Sequence, residues 1–376
     1  MSVTIVPVQT KRQMRQFVNF TLELYKDCPY YVPELTIDTK ATLDPKKNPA
    51  FEFCEAQPML ALREGRVVGR VVALINKRVN EVWNYKVVRF SWIDFIEDYE
   101  VCKALLDAVC AWGRERGMNK LEGPMGFTDW DREGAMTSGF DRIATLATIY
   151  NYPYYAKYYE RYGLGVGADW LEHLVTMPEV FPERYDKMAN LIRDRYNLKV
   201  VFAKNNSELK NVHAKRIFAL LNQCYAHLYG FSPVSDKQID KYVADYIPFV
   251  DVSLIPLIYN QNDELVACAI VMPSLAKAMH RTHGKLFPFG WWHLVKSLYL
   301  KHDDTLELLL IGIRPDFQGK GLNALLISAM HPVIRRKGYV KAETNCELVT
   351  NDKMQNFWNY LPHETHKTRR AYIMDI

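Results

Sequence analysis

The chain lacks any uncharged apolar stretch approaching the ~20 residues of a membrane-spanning helix. Its opening, MSVTIVPVQTKR, has no apolar core of signal-peptide length. Cysteine is sparse: seven residues (Cys28, Cys54, Cys102, Cys110, Cys224, Cys268 and Cys346), odd in number, scattered, with no C-x-x-C pair. That usage favours reduced thiols over a disulfide framework or a zinc site, so the expectation is a cytoplasmic chain with mostly buried thiols and no metal site. Charge of one sign is also scarce. The formal net charge is only +5 over 376 residues and no long basic run occurs, so no nucleic-acid partner is expected. Neither a G-x-x-x-x-G-K-[ST] loop nor a G-x-G-x-x-G fingerprint is present, which removes two common nucleotide cradles.

What is present is enough chain for two domains and one well-marked unit, Thr305–Lys337. Leu306, Leu308, Leu309, Leu310, Ile311 and Ile313 form a nearly continuous apolar run, which suits a strand covered on both faces. Pro315 ends it. Gln318-Gly319-Lys320-Gly321 follows, and Leu322, Leu325, Leu326, Ala329, Val333 and Ile334 then recur at helical spacing. A glycine turn that opens a helix offers backbone N–H groups and the positive end of the helix dipole, which together make a phosphate cradle. Taken alone, two glycines are equally well explained as a plain turn.

The rest of the chain shows one order of elements twice. In the first half, MLALREGRVVGRVVALIN (59–76) reads as a hairpin turning at Glu64-Gly65, followed by a strand Arg89–Phe95 and a helix Tyr99–Arg116. A Gly-rich loop through Gly123, Gly126, Gly134 and Gly139 and an aromatic helix NYPYYAKYYERYGL (151–164) come next. In the second half, LIPLIYNQNDELVACAIVM (254–272) is again a hairpin, turning at Asn260–Asp263. Thr305–Lys337, a strand at Val340–Cys346, a helix at Asn351–Leu361 and a strand at Arg370–Met374 complete it. The first half has EDYEVCKALLD where the second has QGKGLN, so it carries no glycine cradle. Prolines in MPEVFPE (177–183) mark the junction.

Ile313-Arg314-Pro315-Asp316-Phe317-Gln318-Gly319-Lys320-Gly321 resembles the acyl-CoA-binding motif of the GNAT (N-acetyltransferase) superfamily, Gln/Arg-x-x-Gly-x-Gly/Ala. Gln318 and Gly321 match, whereas Asn323 stands where Gly or Ala is usual. The whole chain is similar to tandem GNAT proteins such as myristoyltransferases, mycothiol synthase and peptidoglycan peptidyl transferases. YNYPYYAKYYERYGL with the preceding GFD also resembles a bacterial group of such proteins, a likeness that names no substrate.

The resemblance implies an α/β (α+β) fold of two tandem GNAT-like domains, each a mixed, largely antiparallel sheet flanked by helices. Residues 1–178 would be a degenerate copy without the CoA motif, and residues 179–376 the copy that holds it. It implies an N-acyltransferase that takes acetyl-CoA or another acyl-CoA as co-substrate and an amine as acceptor. Ile311, Gly312, Ile313, Gln318, Gly319, Lys320, Gly321, Leu322, Asn323 and Asn351 are the implied donor-binding positions, with a strand bulge expected at Gly312. Asn351 also reads as a helix N-cap.

Acyl transfer needs a base for the amine and an acid for the departing thiolate. Glu307, in an apolar strand eleven positions before Gln318, and Glu343 on the next strand are the candidate bases. Each reads equally as a structural or solvated carboxylate. The family's Tyr position holds Trp358, which leaves Tyr360 as the candidate acid. Residues 276–304 are rich in Phe, Trp and Lys, and three readings stand for them: a docking helix pair, a lid over an acyl chain, or an interfacial membrane contact through 285–300. Two rival functions also remain, a non-catalytic acyl-CoA-binding scaffold and an aminoacyl-tRNA-dependent transferase.

Overall fold

The computed structural model describes all residues except Met1, Phe181, Asn359 and Tyr360, and all of their side chains save that of Asn356. The strands begin with β1 (Thr4–Pro7), β2 (Cys54–Arg63), β3 (Arg66–Asn76), β4 (Val87–Phe95) and β5 (Lys120–Gly123). Next come β6 (Ala135–Ser138), β7 (Gly165–Thr176), β8 (Lys199–Val201), β9 (Leu257–Tyr259) and β10 (Leu265–Pro273). The last are β11 (Thr305–Ile313), β12 (Lys341–Thr344), β13 (Glu347–Leu348) and β14 (His363–Asp375).

Packing divides the chain into two units, one of residues 1–171, 275–297 and 366–376, the other of residues 172–274 and 298–365. A single cut after residue 178 therefore does not follow the packing. The alternation in β14 explains part of the difference. Its Tyr372 is buried, and Tyr372, Met374 and the following Ile376 join the apolar core of the first unit, beside Val88, Phe90 and Tyr159. β14 pairs antiparallel with β5 from Tyr372–Gly123 to Asp375–Lys120.

In the first unit the strands run in the order β1-β2-β3-β4-β5-β14. β2 and β3 form the expected hairpin, and both turn residues, Glu64 (φ 51°) and Gly65 (φ 76°), take the positive φ that a tight two-residue turn demands. The Tyr99–Arg114 helix is capped by Asp98, whose side chain accepts from Glu100 N–H, and it buries Val101, Cys102, Leu105, Leu106 and Val109. β4 and β5 are parallel, paired from Val87–Lys120 to Arg89–Glu122.

In the second unit β12, β11, β10, β9 and β8 lie side by side in that order, with β7 residues on the outer side of β12. β11 is antiparallel to β10 and parallel to β12, so the sheet is mixed. One face is covered by the Glu183–Arg195 and Leu322–Arg336 helices, whose Tyr185, Ala189, Ile192, Leu322, Leu325 and Leu326 pack with Leu306, Ala342 and Val175. At ~0.8 kcal/mol for each buried CH₂, this apolar layer is the main attachment of the helix that carries the glycine turn.

Candidate functional site

The glycine turn is built as its sequence requires. Gly319 and Gly321 have φ of 74° and 83°, a region side chains rarely adopt. At Gly321 a Cβ would also stand 2.5 Å from Ile192 Cδ1, whereas at Gly319 it would meet open space. Gly321 is the N-cap of the Leu322–Arg336 helix, its carbonyl accepts from Ala324 N–H at 2.9 Å, and no side chain caps that end of the dipole. Lys320 lies beside the turn with its ammonium 4.8 Å from the Phe317 ring centre and 5.2 Å from that of Tyr196. Asn323 Oδ1 is buried and has no hydrogen-bond partner among the described residues.

Gln318 ties this turn to two other elements. Its Nε2 donates to Ile313 O at 3.1 Å, at the end of β11, and its Oε1 accepts from Lys353 Nζ at 2.8 Å. Lys353 belongs to the Asp352–Trp358 helix, which Asn351 precedes; the Asn351 carbonyl accepts from the N–H groups of Met354 and Gln355. Arg314 grips Asp316 through two hydrogen bonds (2.7 and 3.0 Å) and reaches Glu264 at 3.1 Å, which fixes the loop between strand and turn.

β11 and β12 stay in register from Thr305–Lys341 to Leu308–Thr344. Asn345 N–H adds a last bond to Leu308 O at 3.1 Å, and the Tyr225 hydroxyl takes over at Ile311, donating to its carbonyl at 3.0 Å and accepting from its N–H at 3.3 Å. The bulge expected at Gly312 lies instead at Leu309, where the pairing with β10 jumps from Leu308–Val271 to Leu310–Ile270. Gly312 is paired in register with Cys268. Its missing side chain serves another purpose, since a Cβ there would come within 2.9 Å of Leu221 on the Ala214–Tyr225 helix. Ile311 and Ile313 pack beside the core on the same strand.

Glu307 and Glu343 are opposite one another in the β11–β12 register, 4% and 7% exposed. Ser274 Oγ donates to Glu307 Oε1 at 2.7 Å. Tyr360 lies outside the described residues. Trp358 is buried in the core and donates its indole N–H to Glu347 Oε2 at 2.7 Å. His173 Nε2 lies 3.9 Å from the same oxygen and 3.0 Å from Gln355 Oε1, while its Nδ1 is 3.1 Å from Thr365 Oγ1. Burial pushes the Glu347 carboxyl up to about 7, and the Trp358 hydrogen bond holds it back only in part.

Sequence reasoning missed Glu347, His173 and Tyr225. Glu347 had a faint signal, as an acid just beyond a strand that flanks the cradle. His173 and Tyr225 come from distant segments that only folding brings to this edge.

No family model matches the chain. A solved structure described as a tandem GNAT protein from the clavulanic acid biosynthesis pathway superposes with a TM-score of 0.56, covering 100% of this chain and 98% of that one at 12% identity. The chain has a tandem GNAT fold. In sequence it is 27% identical to Protein YghO of Escherichia coli (strain K12) over 97% of this chain and 94% of that protein. It is 23% identical to the bacterial ceramide synthase of Caulobacter vibrioides (strain NA1000 / CB15N), over 98% and 97% of the two chains. β11, the glycine turn and the Leu322–Arg336 helix follow one another as strand, turn and helix.

Proposed function

We propose that the protein is an acyl-CoA-dependent N-acyltransferase whose donor site is the glycine turn of the second unit and whose acceptor is the amine of a long-chain amphiphile. The observation that carries this reading is the uncapped helix N-terminus behind Gly319 and Gly321, a geometry suited to a pyrophosphate. The amides of Gly319, Gly321, Leu322 and Asn323, with the Lys320 ammonium, hold the diphosphate. Asn351 and the β11 edge at Ile311–Ile313 receive the pantetheine arm.

The amine nitrogen attacks the thioester carbonyl carbon. The C–N bond forms, the C–S bond breaks, and the products are an amide and the CoA thiol. Glu307 takes the amine proton, directly or through water, with Glu343 beside it in register. Glu347 returns a proton to the departing thiolate, a role suited to a carboxyl still partly protonated at neutrality.

Two observations support a lipid acceptor. One relative is named as a ceramide synthase, and ceramide is an N-acylated long-chain base. In the first unit, Phe287 and Phe289 are 77% and 75% exposed, Trp291 and Trp292 nearly half, with Lys285 and Lys296 on either side of them in the sequence. The adjoining Ala276–Thr282 helix buries Ala276, Ala278 and Met279, so this segment is anchored at one end and aromatic at the other. A Phe/Trp patch flanked by cations suits the interface of an anionic bilayer. Among the described residues no helix is long and apolar enough to cross a membrane.

The test is turnover of acetyl-, octanoyl- and palmitoyl-CoA with a long-chain 2-amino-1,3-diol in mixed micelles, read as thiol release and as amide by mass. Amide formation with a long acyl chain is the expected result. CoA binding without transfer to any amine would favour the scaffold reading instead.

A further inference from the structure

The first unit contains a cleft that the donor site does not use. It opens where β4 parts from β5, after the last registered pair, Arg89–Glu122. Ser91–Asp94 form one wall and Pro124–Gly126 the other, and the cleft between them is open to solvent. β4 is bulged here: its pairing with β3 jumps from Ser91–Val72 to Asp94–Arg70, and Trp92 is held at a φ of 42°. Gly123 keeps the walls close, because a Cβ on it would stand 2.3 Å from Phe90 O.

Two pairs of opposite charge line the cleft. At the back, Arg70 Nε donates to Asp94 Oδ2 at 2.9 Å, and Asp94 Oδ1 accepts from Tyr25 and Tyr155 at 3.1 and 3.3 Å. Burial raises the Asp94 carboxyl, and Arg70 offsets only part of that. Arg70 also donates to Phe17 O at 3.1 Å, so this pair is held by its own protein partners. The second pair, Glu34 and Arg132, is looser: Arg132 Nε is 3.7 Å from Glu34 Oε1, and their side chains are 18% and 27% exposed for Arg132 and Glu34 respectively. Glu34 Oε2 accepts from Thr39 Oγ1 at 2.7 Å and from Trp92 Nε1 at 3.1 Å, so the carboxylate is braced from behind with Oε1 left toward the cleft. Arg132 Nε donates to Leu146 O at 3.0 Å, which orients the guanidinium and leaves its terminal nitrogens as donors. Burial alone would raise Glu34, but Arg132 and the two hydrogen bonds outweigh it and hold the carboxyl below its ordinary range.

We propose that this cleft binds the head group of a 2-amino alcohol, with its ammonium on Glu34 Oε1 and its hydroxyl oxygen on the Arg132 guanidinium. An ionised carboxylate and a guanidinium side by side present an acceptor and a fork of donors a few ångströms apart. Glu34 offers an acceptor and Arg132 offers donors on one wall of the cleft. An amine with a neighbouring oxygen matches both groups at once. This binding stands apart from the acyl-transfer reading above and does not depend on it.

The experiment is calorimetry of the full chain with 2-amino-1,3-propanediol at millimolar concentration, against 1,3-propanediol and isopropylamine as half-ligands. Wild type should bind the amino diol saturably and each half-ligand at least about tenfold more weakly. Glu34→Gln, which can still accept from Thr39 and Trp92, should weaken the amino diol by about tenfold or more, as should Arg132→Met, with thermal midpoints measured alongside to show that each variant is folded. No binding by wild type, equal binding of 1,3-propanediol, or unchanged binding by a folded Glu34→Gln protein overturns the proposal. Saturable binding lost in Glu34→Gln, in a protein that transfers no acyl group from any CoA, would uphold the cleft and overturn the acyl-transfer reading.

Discussion

Trp358 donates its indole N–H to Glu347 at 2.7 Å, at the helical position where the family resemblance leads one to look for a phenol. The indole cannot deliver a proton usefully, yet it touches a carboxyl that can. Burial pushes that carboxyl up to about 7. If Glu347 is the proton donor, its protonated form is the active one, and turnover should fall as pH rises through about 7. Glu347→Gln should remove that limb and lower turnover by about 10²-fold. Trp358→Phe removes a hydrogen bond that favours the carboxylate, so it should move the limb to higher pH. A pH–rate profile on the three proteins checks all of this.

The same shift has a consequence for stability. A carboxyl whose folded-state pKa lies above its unfolded value binds more protons when folded. Its contribution is full below the unfolded value, near 4.5, and is lost as pH rises through about 7. The cost above neutrality is on the order of 3 kcal/mol. Denaturant titrations at acid and alkaline pH should show wild-type stability falling across this window and a flatter profile for Glu347→Gln.

Gly321→Ala and Gly319→Ala should separate strain from collision. Both positions require positive φ, which costs a side chain ~1 kcal/mol or more. Only at Gly321 would the new methyl also strike Ile192, at 2.5 Å. Gly321→Ala should therefore lose roughly 2–4 kcal/mol of stability and CoA affinity with it, while Gly319→Ala loses about 1 kcal/mol. Thermal melts with and without CoA measure both effects.

Glu307→Gln tests the base. The amide can still accept from Ser274 Oγ, which donates to the carboxylate at 2.7 Å, so folding and CoA affinity should hold while turnover falls by about 10²-fold or more. Unchanged turnover would move the role of base elsewhere on the strand pair.

Much of this architecture was legible because period and turn chemistry are local. The hairpin at Glu64-Gly65 and the strand–turn–helix of Thr305–Lys337 each announce themselves within one segment. What stayed hidden depends on distant parts meeting. Gly312 looked like a bulge because glycine in a strand often marks one, but its neighbour Leu221 lies on a helix far back in the chain. His173 reaches Glu347 from a strand whose sequence carries no catalytic signal. The last strand was legible as a strand and not as a member of the first unit, since alternation gives a buried face without naming the partner.

The aromatic segment 287–292 yields the last prediction. Large apolar side chains this exposed and this clustered need a partner to justify them. Trp291 and Trp292 are ring neighbours 5.9 Å apart, and Lys285 and Lys296 supply cations on either side in the sequence. Flotation with vesicles should therefore show binding that increases with anionic lipid content and falls with salt. Replacing Phe287, Phe289 and Trp292 with Ser should reduce bound protein several-fold. Because these side chains contribute little to the core, the thermal midpoint should move by no more than a few degrees. Acyl transfer to a micellar long-chain amine should drop with vesicle binding, while transfer to a soluble short-chain amine should not. Equal loss on both acceptors would mean that the segment shapes the site itself and does not deliver the protein to a lipid surface.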